Sequence, residues 1–183
     1  MKCCLIAAVL TFGCYLPAGA FILGGKVTQQ WGTGQFQKLE VEDRFTVGAD
    51  TFESDNLYAF DEDQNIRIDR PLRVDIGGSN GRIEAGEVVA SHYVFFDPVQ
   101  GGQIGYVDFD APILGVAASQ ATMAASDFLA NTDVEYLNPA LRGLEWGDLV
   151  WIDPDDPFRL WVNWTASTPG DYVRVFTARS PTV

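Results

Sequence analysis

The feature that most constrains the fold of this chain is an alternation of apolar and other side chains along short segments. In residues 148–153, Val150 and Ile152 fall on one face of such a segment, and Leu149 and Trp151 fall on the other. Successive side chains of a β-strand point to opposite faces, so a period of two predicts strands. The same period recurs further along the chain, in residues 160–165 and 171–178.

Similar segments upstream predict an all-β protein, an antiparallel β-sandwich or jelly roll with one short helix. Pro- and Gly-rich connections separate the strands. We expect residues 91–97 and 103–110 to form a pair of strands, and further strands in residues 36–47, 72–76 and 87–90. The helix is predicted in residues 120–130, an Ala-rich stretch that Ser119 can cap. We see no internal repeat and no change of composition after residue 20, so residues 21–183 are interpreted as one domain.

The first twenty residues read as a secretory signal peptide. Lys2 gives a basic start, an apolar run follows, and Ala18-Gly19-Ala20 is a small-residue cleavage site. We therefore predict a secreted or periplasmic protein, with a lipoprotein acylated at Cys14 as the alternative. After cleavage the chain contains no cysteine and no stretch long enough for a stable membrane span.

Composition argues against several classes of function. The chain has 25 Asp and Glu residues against 12 Lys and Arg, a net charge of −13, which disfavours nucleic acid as a partner. Its one histidine, His92, lies in a strand-like segment. Catalytic triads and histidine-rich metal sites are therefore not expected, and His92 is interpreted as structural.

The aromatic residues indicate a binding surface more than a reaction. The alternation allows Trp151 and Trp161 to share a face, with Tyr172 and Arg174 beside them and Trp146 nearby. Aromatic rings flanked by hydrogen-bonding groups can stack on the apolar faces of sugars, so these residues are candidate ligands for a polysaccharide. We nevertheless expect most of the five tryptophans to fill the core.

Calcium is a second candidate ligand. Asp153, Asp155 and Asp156 cluster in one proline-bounded loop, and residues 55–65 hold a second acidic group. Clustered oxygens from loops are the ligands that calcium takes, although neither segment has the EF-hand spacing. The alternative is that these acids form turns and protect strand edges.

Carboxylates also allow an enzyme of another class. A glycoside hydrolase needs two acidic side chains at a suitable separation. The candidates are spread over the second half of the chain: Asp108, Asp110, Glu135, Glu145 and Asp148.

Several segments resemble a group of secreted bacterial proteins of the PEP-CTERM-associated type, whose function is uncharacterised. The resemblance is carried by residues 57–65, 89–98, 109–116, 126–127, 142–148 and 166–175. It implies a surface or matrix role in bacteria that make extracellular polysaccharide. Residues 179–183 do not resemble the C-terminal sorting tail of that group, so anchoring by such a tail is not expected. In the shared segments, His92, Arg142 and Arg174 are expected to meet Asp97, Asp110, Glu145 or Asp148.

The expected function is that of an exported, noncatalytic surface or extracellular-matrix protein that binds polysaccharide, calcium or both. The alternatives are a carbohydrate-active hydrolase that uses paired carboxylates and a purely structural, protein-binding module.

Overall fold

The computed structural model describes residues 20–48, 50–167 and 169–179. The predicted signal peptide lies outside these ranges except for Ala20. The all-β class is confirmed, and the strands are β1 (Ile22–Gln30), β2 (Phe36–Lys38), β3 (Thr46–Val47), β4 (Ser54–Asp61), β5 (Ile66–Arg67), β6 (Leu72–Arg73), β7 (Ile76–Gly77), β8 (Arg82–Ile83), β9 (Val88–Asp97), β10 (Gln100–Phe109), β11 (Ile113–Ala117), β12 (Glu135–Tyr136), β13 (Leu149–Ile152), β14 (Arg159–Ser167) and β15 (Asp171–Ala178).

Two sheets form the framework. A four-stranded antiparallel sheet has the order β1-β10-β14-β13, and a seven-stranded sheet has the order β2-β4-β9-β15-β11-β7 along its main path. The inward side chains of both sheets meet in one apolar core, as expected for a sandwich. That core includes Val107, Val162 and Trp164 from the smaller sheet and Val94 and Val175 from the larger one.

The seven-stranded sheet is buried on both faces. Its second face carries a separate apolar cluster, in which Phe60, Phe95 and Tyr172 pack with Met123 and Leu129. The last two residues belong to the helical segments that cover this face. For this reason β9 is buried on both sides, while β14 of the smaller sheet alternates buried residues with half-buried or exposed ones.

The predicted helix is present but ends early. The α-helix α1 spans Gln120–Ala125, and a 3-10 helix follows at Asp127–Leu129. Ser119 is its N-cap and forms a reciprocal capping box with Thr122. Two further 3-10 helices lie at Val41–Asp43 and Pro139–Leu141. None of the helices within the described ranges has the length and apolar character that crossing a membrane requires.

The predicted pairing of residues 91–97 with residues 103–110 is wrong. Both segments are strands, but β9 pairs with β4 and β15, whereas β10 pairs with β1 and β14. The short connection between β9 and β10 therefore crosses from one sheet to the other. The reason is that β9 is covered on both faces and therefore belongs in the larger sheet, whereas β10 is covered on one face and belongs in the smaller sheet.

The cations in the interior have acidic partners other than those expected. The Arg174 guanidinium donates to Glu62 at 2.6 and 3.0 Å, and Arg142 forms a bidentate pair with Asp127 at 2.8 Å. The prediction that these arginines pair with Asp97, Asp110, Glu145 or Asp148 is wrong. Arg174 also donates to Met123 O at 3.1 Å and to the Ser126 hydroxyl at 2.9 Å, and these contacts tie the helical layer to the larger sheet.

His92 is fully buried, in agreement with a structural role. Its Nδ1 lies 2.7 Å from Asp61 Oδ1, and its Nε2 lies 2.9 Å from the Thr177 hydroxyl. Asp61 also pairs with Lys38 at 2.8 Å. The side chain thus links β4, β9 and β15 inside the sandwich.

Candidate binding face

The outer face of the four-stranded sheet brings aromatic side chains from three strands into one line. Trp151 of β13 is directly opposite Trp161 of β14, which in turn is opposite Tyr106 of β10. Opposite residues of an antiparallel pair project from the same face of a sheet. We call Tyr106, Trp161 and Trp151 the aromatic row, and Lys26 of β1 continues its line to the far edge strand.

The rings of the aromatic row contact one another. Those of Trp151 and Trp161 are nearly parallel, at 7°, with centroids 6.0 Å apart. Tyr106 meets Trp161 edge to face at 5.1 Å. Trp151 is exposed and Trp161 half-buried, so the row presents aromatic surface to solvent while each ring is held by its neighbour.

Polar contacts fix the row from both sides. The guanidinium of Arg159 lies 4.0 Å from the centre of the Tyr106 ring and donates to Asp108 at 2.6 and 3.0 Å. The Trp161 indole N–H donates to Asp153 Oδ2 at 2.8 Å, which holds the pKa of that carboxyl below its ordinary value. The rings are therefore preorganised, and binding a ligand does not require ordering them first.

Trp31 adds an aromatic ring that the sequence patterns did not single out. Its side chain is 73 % exposed, and its backbone N–H donates to Gly102 O of β10 at 2.9 Å. A Cβ at position 102 would approach the indole to 2.8 Å, so a glycine is needed beneath it. Trp31 follows the end of β1 in a Gly-rich turn, where no periodicity indicates a face.

A shallow groove of about 160 Å³ lies next to Trp31 on this face. Its lining includes Gln29, Asn163 and Thr165, which offer amide and hydroxyl groups. A second depression of about 420 Å³, lined in part by Gln100 and Ser167, also borders Trp31.

Two predicted members of the binding face lie elsewhere. Tyr172 and Arg174 belong to β15 of the seven-stranded sheet, and their exposed fractions are 1 % and 0 %. Placing them beside Trp151 and Trp161 was wrong, because β14 and β15 are consecutive in sequence but belong to different sheets. Trp146 is fully exposed in the segment before β13, outside the aromatic row.

The expectation that most tryptophans fill the core is also wrong. All five lie within the described ranges, and of these Trp164 alone is fully buried. Among the residues that the structure describes, Trp31 and Trp146 are the most exposed large apolar side chains, and Trp151 is 36 % exposed. Single exposed apolar side chains are ordinary on a folded protein, so the contiguous aromatic row is a stronger sign of an interaction surface than Trp146 is.

The acidic loops do not assemble a metal site. In residues 20–48, 50–167 and 169–179, no three His, Cys, Asp or Glu side chains converge in a way that could hold a metal ion. Asp153 accepts hydrogen bonds from Trp161 and the Asp155 amide, and Asp156 accepts one from the Phe158 amide. In the second acidic segment, Asp61 and Glu62 are engaged by the cations described above. The calcium predictions therefore have no structural support.

The carboxylates considered for hydrolysis also have identifiable partners. Asp108 is paired with Arg159, and Asp110 accepts from the Phe21 amide at 2.7 Å. Asp148 accepts from the Thr165 amide at 2.7 Å and adjoins the buried Asp171. Glu135 and Glu145 are exposed.

Comparison with known proteins gives no relative from which a role could be transferred: no family model, no curated protein and no solved structure matches the chain.

Proposed function

We propose that this protein is an exported, noncatalytic polysaccharide-binding protein that acts at a bacterial surface or in an extracellular matrix. The observation that carries the proposal is the aromatic row on the outer face of the four-stranded sheet. Three rings from adjacent strands, fixed by Arg159 and Asp153, form a preorganised platform on which sugar rings can stack. The opposite face of the same sheet is committed to the core.

The platform is tested by removing its central ring. Trp161→Ala is expected to weaken binding to an insoluble polysaccharide about tenfold or more, because Trp161 contacts both of the other rings and its loss disorders the row. The measurement is a depletion assay against cellulose, xylan, mannan and chitin, chosen after a glycan array has shown which of them binds the protein.

The matched control is Phe128→Ala. Phe128 is 49 % exposed but lies on the 3-10 helix that covers the other sheet. Its loss should leave binding unchanged. If neither the array nor the depletion assay detects binding by the unmodified protein, or if both variants bind equally well, the proposal is wrong.

The export part of the proposal predicts a defined N-terminus. Cleavage after Ala20 gives Phe21 a free α-amino group, and the Phe21 nitrogen lies 2.7 Å from Asp110 Oδ1. We expect protein exported from a Gram-negative host to begin at Phe21, as measured by intact mass. Ala18→Glu should block processing, because the cleavage site needs a small residue there, whereas Gly19→Ser should not. Unprocessed chain in the cytoplasm of cells making the unmodified protein would contradict export.

A further inference from the structure

We infer that Trp31 forms the second end of an extended site, and that the ligand is a neutral β-1,4-linked glycan chain spanning the outer face from the aromatic row to Trp31. This inference rests on the proposed function and assigns to it a second stacking position and a ligand class.

The separation of the two ends sets the size of the ligand. Gly102, which lies beneath Trp31, and Tyr106 of the aromatic row project from the same face of β10, four positions apart. At about 3.3 Å per residue the two positions are about 13 Å apart. One sugar ring cannot contact both ends, so simultaneous contact needs an oligosaccharide.

The surface between the two ends suits a sugar chain. Ile104 and Asn163 are opposite each other on β10 and β14 and lie in the floor of the groove beside Trp31, together with Thr165. The apolar side chain can contact a pyranose C–H face, and the amide and hydroxyl groups can bond to its hydroxyls.

Charge favours a neutral chain. The protein carries a net charge of −13, which repels polymers of uronic acids or sulfated sugars. On the face itself, the Arg159 charge is balanced by its bidentate pair with Asp108, which leaves Lys26 at the far edge strand as a cation in line with the aromatic row. A neutral glycan that binds through stacking and hydroxyl hydrogen bonds is not repelled by this negative charge.

Shape favours the β-1,4 linkage. The face is an open sheet surface, and the two depressions that border Trp31, of about 160 and 420 Å³, are open to solvent. Pyranose rings joined by equatorial β-1,4 bonds form an extended ribbon that presents C–H faces along its length. Such a ribbon can contact two stacking positions on one surface, whereas a coiled α-linked chain turns away from it.

The test is how affinity depends on chain length. Titration calorimetry compares the di- and hexasaccharides of cellulose, mannan, xylan and chitin, with the unmodified protein and with Trp31→Ala, Gly102→Ala, Trp161→Ala and Phe128→Ala. For the unmodified protein we expect a hexasaccharide to bind at least tenfold more tightly than its disaccharide. Trp31→Ala should remove most of that gain.

Gly102→Ala keeps the indole but displaces it, since the new methyl would approach it to 2.8 Å, and should act in the same direction as Trp31→Ala. Trp161→Ala should weaken both lengths, and Phe128→Ala neither. If Trp31→Ala binds the hexasaccharide like the unmodified protein while Trp161→Ala does not, the extended site is wrong and the proposed function stands. If none of the hexasaccharides binds but a polysaccharide outside the neutral β-1,4-linked class does, the assigned ligand class is wrong. If no polysaccharide binds at all, the proposed function fails as well.

Discussion

Replacing Glu62 with Gln is expected to lower the free energy of unfolding by about 3–5 kcal/mol, the typical cost of removing one partner from a buried ion pair. The Glu62 and Arg174 side chains are both fully buried. The carboxylate also accepts hydrogen bonds from the hydroxyls of Ser91 and Tyr136, both at 2.6 Å. Two N–H groups of Arg174 and these two hydroxyls thus donate to Glu62. A glutamine offers the four donors a single oxygen, and its own amide N–H groups would meet some of them donor to donor. Arg174 would then retain Asp127, at 3.2 Å, as its remaining carboxylate partner.

The measurement is urea denaturation followed by tryptophan fluorescence, with thermal unfolding as a second readout. A loss of this size corresponds to a fall in Tm of roughly 10 °C for a chain of this length. The matched control is Glu135→Gln, since Glu135 is exposed and accepts one bond from the Thr46 hydroxyl at 3.2 Å. It should change the free energy of unfolding by less than about 0.5 kcal/mol.

A double variant separates the charge effect from general disruption. Glu62→Met together with Arg174→Met removes both charges, so it should lose less stability than the sum of the two single variants. A loss equal to that sum would show that the two side chains are not coupled and would contradict this account of the interior.

Asp171→Asn is expected to stabilise the protein at alkaline pH and to have little effect at pH 4. Asp171 is fully buried, and burial together with the nearby carboxylate of Asp148 raises its pKa to about 8. The partial burial of Asp148 raises the pKa of its own carboxyl as well. An unfolded aspartate releases its proton near pH 4, so between pH 4 and pH 8 the folded state binds more protons than the unfolded state.

The free energy of unfolding must therefore fall as the pH rises through this window. Each unit by which the pKa is raised costs on the order of 1.4 kcal/mol once both states are ionised. An asparagine cannot ionise, and its amide can donate to Asp148, so the variant avoids this cost. We expect Tm curves that coincide near pH 4 and separate progressively to pH 9, corresponding to a gain of a few kcal/mol.

The control for this effect is Asp155→Asn, an exposed carboxylate in a turn, whose Tm should follow that of the unmodified protein at every pH. Equal stability of Asp171→Asn and the unmodified protein at pH 9 would show that Asp171 is ionised at little cost in the fold.

Local pattern predicts much of this fold. Strand β15 begins and ends where the alternation does, and Ser119 caps α1 because a serine before an Ala-rich stretch offers an acceptor to the first helical amides. Alternation also places Trp151 on the face opposite Val150, as the structure shows. Strand pairing could not be predicted in the same way, since β9 and β10 join different sheets despite a short connection.

In the candidate site too, local pattern predicts some features and the pairing of strands decides others. Trp151 and Trp161 share a face by periodicity, but Tyr106 joins them through the β10–β14 register, which no local pattern encodes. Trp31 is placed by a backbone hydrogen bond and by a glycine distant in sequence. A tryptophan in a strand can face the core or the solvent, and for this reason the expectation that most of the five tryptophans fill the core was wrong.

Sequence by itself determined the all-β class, the alternation of faces along β13, β14 and β15, the capped helix and the acidic character of the chain, because these depend on neighbouring residues. Tertiary structure decided which faces are covered, which acid meets which cation and which rings form a platform. The Glu62–Arg174 pair is separated by 112 residues in sequence. The pair forms only when the sheets pack, because packing buries the two side chains together, and the residues next to them in the chain do not determine this.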